Sequence, residues 1–564
     1  MVREQATPLT DLLYNNAPPN TLDLAIIHDR TEAMAKRIVD LRNELEDLEK
    51  QLHLHKCVFS PARQIPTEIL TMIFDAVSIV NPPYADEDWE RDLESLTTIT
   101  LVCKRWRDVA YSFGYLWAER KVEIPTLTQK QCGTLLRWYG RAKDTPKTLK
   151  FDTPYSLKSK CDCYKQTGGT QLCSNTILQR LLAEGPPLSR ISMADFTPTC
   201  FKNIVRYIRS TNTDATTTSA AQHWWDKVQK LVLDFRDGSV NENDPYWLQY
   251  QLPTHSIFAS FPDSLTSLAL HLPRLVENPH RKFLDIPAAV LIKLTTLSLT
   301  YPWGGPQFLT ALQHCTNVEI LSLGLGDDVE CQSPNLGDQV NVTPLSQDGH
   351  IVLPKVNSLT LEIDFASAEV KHLSLLRFPG LIELSIESGG NWGKPDPYSA
   401  ILEAIGLFST DAPQDLASLI VVGNIKAKDL YRLLGSITSP VTHLTMDAGY
   451  EPRKFLKLAQ SAPTGTPNLL PSLQYLEVRS LPDYFHLDSL FLYIKSQKHG
   501  KQKGKVVMKA PDDSLKRVML EITSWNRDLQ KAYYKESATL KLLRETFGIK
   551  VDRMGYDPKL ESDT

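Results

Sequence analysis

One short pattern recurs along most of the chain: apolar-x-x-apolar-x-apolar. It occurs as Leu188/Ile191/Met193, Val228/Leu231/Leu233, Leu265/Leu268/Leu270 and Leu294/Leu297/Leu299. It continues as Val318/Leu321/Leu323, Val356/Leu359/Leu361, Leu381/Leu384/Ile386 and Leu416/Leu419/Val421. The last instances are Val441/Leu444/Met446, Leu473/Leu476/Val478 and Leu515/Val518/Leu520; Leu149 and Phe151 open the series, and Gly548 to Val551 close it. Spacing runs from 24 residues (Leu294 to Val318) to 42 (Leu473 to Leu515), wider and less regular than compact repeats show. Helical stretches lie between the strands: Phe308–Gln313, Ser399–Ile405 and Asp429–Leu434. A unit of strand, turn and helix cannot bury its apolar face alone and must stack on its neighbours. The expected fold class is therefore α/β, with an irregular solenoid over residues 121–555 carrying parallel strands inside and helices outside. A closed α/β domain is the rival and predicts fewer strands with no shared pattern. The gaps Cys161 to Leu188 and Asp327 to Val352 read as loop insertions, and Lys495 to Lys509 as a flexible basic loop.

A different period governs the N-terminal region. Leu24, Ile27, Met34, Ile38, Leu41, Leu45, Leu48 and Leu52 alternate spacings of three and four, with Thr31 as the soft position. This is a heptad seam of about four heptads, with charged residues over the rest of the helix. The predicted helix covers 21–57, after a flexible tail at 1–20; a second tail is expected at 556–564. An apolar stripe must be buried somewhere. Two partners are open to it: a second copy, giving a homodimer through residues 24–52, or the rest of its own chain.

Between seam and repeats, residues 60–120 read as a small bundle of short helices. Pro66 begins a helix, where its missing N–H does no harm. Ile69, Leu70, Ile73 and Phe74 follow on one face. After a polar loop, Asn81 to Asp88, come Leu96, Ile99, Val102 and Cys103, then Lys104-Arg105-Trp106-Arg107-Asp108-Val109-Ala110 and Leu116-Trp117. Trp106 and Trp117 are large enough to nucleate a core.

The order Ile65-Pro66-x-Glu68-Ile69-Leu70-x-x-Ile73-Phe74, Leu96-x-x-Ile99-x-x-Val102-Cys103-Lys104-Arg105-Trp106-Arg107-x-Val109-Ala110 and Leu116-Trp117 resembles an F-box over Pro61 to Trp117. The loop Asn81 to Asp92 is longer than in compact F-boxes. The heptads before the box and the repeats after it are similar to the F-box proteins abundant in mushroom-forming fungi, and the repeats resemble leucine-rich repeats of the F-box type. The resemblance implies docking onto the Skp-family adaptor of a cullin–RING (SCF) ubiquitin ligase. It implies adaptor contacts by Ile65, Pro66, Glu68, Ile69, Leu70 and Ile73, while Phe74, Val102 and Trp106 are expected in the bundle's own core.

Strand residues between the inward positions point to the opposite face. Asp234, Glu362, Asp364, Glu383, Glu387, Asp447, Glu477 and Glu521 fall there, against Lys230, Arg479 and Arg517. These acids, Glu521 aside, form the candidate target-binding set, a mildly acidic surface suited to a basic segment; a merely solvated face is the competing reading.

Other classes lack support in the sequence. A net charge of -4 and pI of about 6.4 give no electrostatic reason to expect nucleic acid. No apolar run is long enough to cross a bilayer, and Met1 to Leu13 does not read as a secretory signal. The nine cysteines are odd in number and scattered, as expected for reduced thiols in the cytoplasm or nucleus. Cys161, Cys163 and Cys173 lack a fourth zinc ligand, and Asn341-Val342-Thr343 reads as a chance glycosylation match. No nucleophile elbow, phosphate loop or His-Glu-x-x-His occurs. The expectation is an adaptor without catalytic residues, metal or cofactor. It would act as a ligase substrate receptor or as a non-ligase scaffold built on the same modules.

Overall fold

The computed structural model describes residues 14, 18–59, 61–80, 90–91, 93–123, 127–152, 175–194, 196–210, 224–236, 256–273, 284–303, 307–326, 350–363, 368–388, 405, 408, 416–423, 427–437, 439–447, 472–481, 499–502, 505–508, 515–522 and 550–555. The chain divides into two compact units, Met1–Leu116 and Trp117–Thr564.

The first unit opens with one long helix, α1 (Thr21–Val58). Its start is fixed by a reciprocal cap: the Asp23 N–H donates to Asn20 Oδ1 (2.8 Å), and the Asn20 N–H donates to Asp23 Oδ2 (3.3 Å). Three shorter helices follow: α2 (Thr67–Ser78), α3 (Leu93–Val102) and α4 (Lys104–Ser112). Each of these three packs on the other two. The ends of the long loop between α2 and α3 are drawn together by a two-residue antiparallel ladder, Ile79 with Arg91 and Val80 with Glu90.

Among the described residues, the second unit is built on one sheet of fourteen strands in which spatial order follows chain order and every pair is parallel. The strands are β1 (Glu119–Glu123), β2 (Thr148–Asp152), β3 (Arg190–Ala194), β4 (Lys230–Asp234), β5 (Ser267–His271), β6 (Thr296–Tyr301) and β7 (Ile320–Leu325). They continue as β8 (Ser358–Ile363), β9 (Glu383–Ser388), β10 (Ser418–Gly423), β11 (His443–Asp447), β12 (Tyr475–Leu481), β13 (Arg517–Ile522) and β14 (Lys550–Gly555). The sheet is open, with β1 and β14 at its edges. Between strands lie α5 (Gln129–Arg141), α6 (Thr176–Glu184), α7 (Pro198–Ser210), α8 (Ala288–Leu291), α9 (Gln307–Leu312) and α10 (Ala427–Ser436). Helix α6 packs between α5 and α7, and α8 packs on α9.

The repeated apolar triplets explain the register. Leu231, Leu268, Leu297, Leu321, Leu359, Leu384, Leu419, Leu444 and Leu476 lie side by side, strand after strand. Two residues on, Leu233, Leu270, Leu299, Leu323, Leu361, Ile386, Val421, Met446 and Val478 form a second row. Both rows are buried, and most residues between them are only half-buried. Parallel sheets covered on both faces show near-continuous apolar strands. The alternation here is that of a sheet with one buried face and one face closer to solvent.

A second recurrence joins the strands. The carbonyl of the residue before one strand accepts two N–H groups at the start of the next: Thr266 from Thr295 and Thr296, Thr295 from Glu319 and Ile320, Glu319 from Asn357 and Ser358. The same joint occurs at eleven carbonyls among the described residues: Lys147, Ser189, Gln229, Thr266, Thr295, Glu319, Asn357, Ile382, Ala417, Thr442 and Gln474. Each joint satisfies two backbone donors at a strand entrance.

Several details depart from the sequence reading. The sheet begins one strand earlier, at β1, where Val122 alone is buried. Trp117 belongs to the second unit, where it meets the Trp138 ring edge-on at 4.5 Å and lies under the Arg141 guanidinium at 4.6 Å. The gap after Cys161 contains α6, and the end of the gap before Val352 pairs as Ile351–Val352 with Leu376–Arg377. The segment Lys495 to Lys509, expected as a flexible basic loop, includes a paired antiparallel ribbon, His499–Gln502 with Lys505–Met508. Both Phe308–Gln313 and Asp429–Leu434 coincide with helices, α9 and α10, whereas of Ser399–Ile405 only Ile405 is described. Cys161, Cys163, Cys173, Asn341-Val342-Thr343 and both tails apart from Tyr14 and residues 18–20 lie outside the described residues.

Candidate protein-docking site

Pro66 immediately precedes helix α2, and its carbonyl accepts the first helical bond, from the Leu70 N–H (3.0 Å). Two turns then separate two apolar faces. Leu70 and Phe74, four residues apart, are both 0% exposed and form the core with Leu96, Ile99, Val109 and Ala110. Ile69 (46% exposed), Met72 and Ala76 fall on the other face, at i, i+3 and i+7. Of the expected adaptor contacts, Pro66, Glu68 and Ile69 are exposed and Ile65 and Ile73 half-buried. Leu70 is a correction: with no exposed area it is a core residue and offers nothing to a docking partner unless the bundle opens. Val102, expected inside, is 55% exposed at the end of α3, beside the exposed Leu101.

The approach to α2 is held from α4. The Arg105 guanidinium donates to the Arg63 carbonyl and to the Ile65 carbonyl (2.6 Å). Trp106 Nε1 donates to the Ala62 carbonyl (3.4 Å), and its ring meets Phe74 at 5.3 Å between centroids. Helix α4 is capped by Cys103, whose Sγ accepts from the Trp106 N–H (3.5 Å), and Arg107 Nε donates to the Thr100 carbonyl (3.0 Å) near the end of α3. The run Cys103 to Arg107 therefore fixes the segment Ala62–Ile65 that leads into the exposed face. In sequence, Lys104 to Arg107 is only the run that follows the stripe Leu96, Ile99, Val102 and Cys103. Their backbone bonds carry no pattern signal, because a carbonyl acceptor is the same at every position.

The candidate target-binding acids are distributed along the sheet. Glu362 on β8 and Glu387 on β9 are direct neighbours in the register, and Glu383 lies beside Ser358 and Ser418. Two of the set are neutralised within their own strand region. Asp234 receives bonds from the Arg236 N–H (2.9 Å) and guanidinium (2.8 Å), and Glu477 Oε1 accepts from Arg479 Nε (2.8 Å). Burial alone would raise the Asp234 pKa; the hydrogen bonds and charge of Arg236, with a contribution from His271, outweigh it and hold the carboxyl below its ordinary value. On β8 and β9, Glu387 Oε1 accepts from the Ser385 hydroxyl (3.3 Å) and Glu383 Oε1 from the Ser358 hydroxyl (3.4 Å). Asp364 lies outside the described residues, and Asp447 is described only as the last backbone position of β11, opposite Arg479.

A pocket of about 780 Å³ is lined by Leu136, Tyr139, Lys143, Lys147, Pro187 and Lys227 among others. Its Lys147 ammonium donates to the Lys143 (2.5 Å) and Thr145 (3.3 Å) carbonyls, and Tyr139 OH to the Thr148 carbonyl (2.7 Å), so both serve the backbone. Among the described residues no group of three or more His, Cys, Asp or Glu side chains could hold a metal ion, and no helix is long and apolar enough to cross a membrane.

The F-box-like family matches residues 62–122, which takes in α2, α3, α4 and the first strand of the sheet. No curated protein matches the chain.

Proposed function

We propose that the chain is a substrate receptor of an SCF-type cullin–RING ubiquitin ligase. F-box domains generally bind Skp-family adaptors, and the F-box-like match at residues 62–122 is the observation that carries the reading. The face of Pro66, Ile69 and Met72, with Glu68 at its margin, is the surface offered to the adaptor. The strand series is read as an irregular leucine-rich repeat solenoid, supported by the shared apolar register and the eleven recurring carbonyl joints. It would hold the protein target, with Glu362, Glu383 and Glu387 facing a basic segment. The chain would act by proximity, raising the effective concentration of target near the ubiquitin-loaded enzyme, without a catalytic residue, metal or cofactor of its own. Residence in the cytoplasm or nucleus follows from that role. A non-ligase scaffold uses the same surfaces and is the second reading.

The test is co-purification of the full chain with a Skp-family adaptor, wild type against Ile69→Asp, with folding checked by circular dichroism. Binding by wild type and loss in the folded variant support the proposal. No binding by wild type overturns it. Reconstitution with cullin, RING protein and charged E2 then separates receptor from scaffold, by whether a captured target acquires ubiquitin.

A further inference from the structure

Helix α1 carries most of its apolar seam in the open: Leu24, Met34, Ile38, Leu41, Leu45, Leu48 and Leu52 are each 47 to 58% exposed, and Ile27 is half-buried. At 1.5 Å per residue, its 38 residues make a rod of about 57 Å. The seam assigns Leu24, Thr31, Ile38, Leu45 and Leu52 to position a of the heptad. Ile27, Met34, Leu41, Leu48 and His55 take position d. The flanking positions are then His28, Ala35, Arg42, Glu49 and Lys56 at e, and Asp23, Arg30, Arg37, Glu44 and Gln51 at g.

These flanks discriminate between orientations. In a parallel pair, g faces the e position of the following heptad on the second copy. Arg37 would then face Arg42, and Glu44 would face Glu49, each twice by symmetry: four like-charge contacts in the centre of the seam. An antiparallel pair sets g against g and e against e. In the register that overlaps the whole seam, Arg37 meets Glu44 and His28 meets Glu49, again twice each, while Arg30 meets Gln51 and Ala35 meets Arg42.

The core positions agree. In the parallel pair Thr31 would face Thr31, and His55 would face His55. In the antiparallel register Ile38 packs on Leu41 at the centre, Met34 on Leu45, Ile27 on Leu52 and Thr31 on Leu48, and His55 is moved to the ends beside Leu24. The Thr31 hydroxyl already donates to the Ile27 carbonyl (2.7 Å), so it enters such a seam without a lost partner. The Lys50–Glu46 ion pair (2.7 Å) lies at outer positions and does not compete for the seam.

We infer that the occupant of this seam is a second copy of the chain, packed antiparallel through residues 24–55, which would set the two docking modules at opposite ends of the rod. The inference is independent of the ligase reading. The test is sedimentation equilibrium of the full chain as wild type, Arg37→Glu, Glu44→Arg and the double variant, with helicity checked by circular dichroism. Each single swap turns two attractive contacts into two repulsive ones and is expected to weaken the dimer roughly tenfold. The double variant restores the charge pairing and is expected to return to near wild-type affinity. A folded Ile38→Asp, Leu41→Asp chain is expected to be monomeric. Strengthening by either single swap would mean a parallel pair and overturn the orientation; a wild type that stays monomeric would overturn the inference altogether.

Discussion

Leu70 and Ile69 are adjacent and both apolar, and the structure gives them opposite surroundings. Leu70 has no exposed area and sits in the core with Phe74; Ile69 is 46% exposed. Replacing Leu70 by Ala removes three buried carbons and leaves a cavity, a change that costs about 2 to 5 kcal/mol. In a bundle this small, with little buried area, that is a large fraction of the total. Ile69→Ala removes a side chain that is already about half in water, and Ala is the better helix former by a few tenths of a kcal/mol, so the net cost should stay under about 1 kcal/mol. Hydrogen exchange read peptide by peptide over residues 67–112 reports the opening free energy of this bundle within the full chain. Leu70→Ala should accelerate exchange in α2, α3 and α4 together by at least about thirtyfold, at 1.4 kcal/mol per factor of ten, and Ile69→Ala by less than about fivefold. Adaptor binding should show the reverse order once folding is accounted for. Equal destabilisation by the two variants would refute the division of α2 into a core face and a docking face.

Other residues allow shorter tests. Arg105→Gln removes charge-assisted bonds to the Arg63 and Ile65 carbonyls and should loosen residues 61–66, seen as faster exchange there and weaker adaptor binding, at a cost near 1 kcal/mol because the arginine is exposed. Burial pushes the Cys315 thiol up to about 12, so alkylation at pH 8 followed by mass spectrometry should label the half-buried Cys57 well before Cys315 in the folded chain. The Asp234 carboxyl titrates below its ordinary value when folded, so its pairing with Arg236 stabilises the fold above the ordinary carboxylate range and is lost as pH falls through the folded pKa. The stability gap between wild type and Asp234→Asn, about 1 kcal/mol or less at neutral pH, should therefore shrink on acidification in a urea-melt series.

The inward rows of the sheet were legible because burial on one face of a strand forces a period of two, and the triplets recur in every strand from β3 to β13. Strand β1 lacked that signal. Glu119, Arg120, Lys121 and Glu123 surround one buried valine, and the strand is held by the Lys150–Glu119 ion pair (3.0 Å) and by Arg120 over the Trp138 ring (5.0 Å). The division between Ile69 and Leu70 was not legible, because a helix with one buried and one exposed apolar face shows only a wide apolar stripe in sequence. Val102 reads as inward in sequence for the same reason. The neutralisation of Asp234 and Glu477 was available in principle: Arg236 and Arg479 follow two residues later, and i, i+2 residues share a strand face.

The uneven spacing of the repeats has a physical reading in the carbonyl joints. From Thr295 to Glu319 the chain takes 24 residues between joints, and from Gln474 to Lys516 it takes 42, yet both ends enter the same ladder in the same way. Closing a flexible loop costs only about 0.6 kcal/mol more for each doubling of its length, so segments between joints can lengthen at small cost while the strand register stays fixed. What cannot change cheaply is the joint and the two buried rows, because each strand is satisfied only by the strands before and after it. Variation is therefore channelled into the connecting segments and the open strand positions, and a period search, which weighs spacing, sees less order than the ladder contains. The same nearest-neighbour dependence implies that a break at one strand exposes the backbone of two others, so damage in the middle of the sheet should propagate to its neighbours, whereas damage at the β1 or β14 edge should stay local.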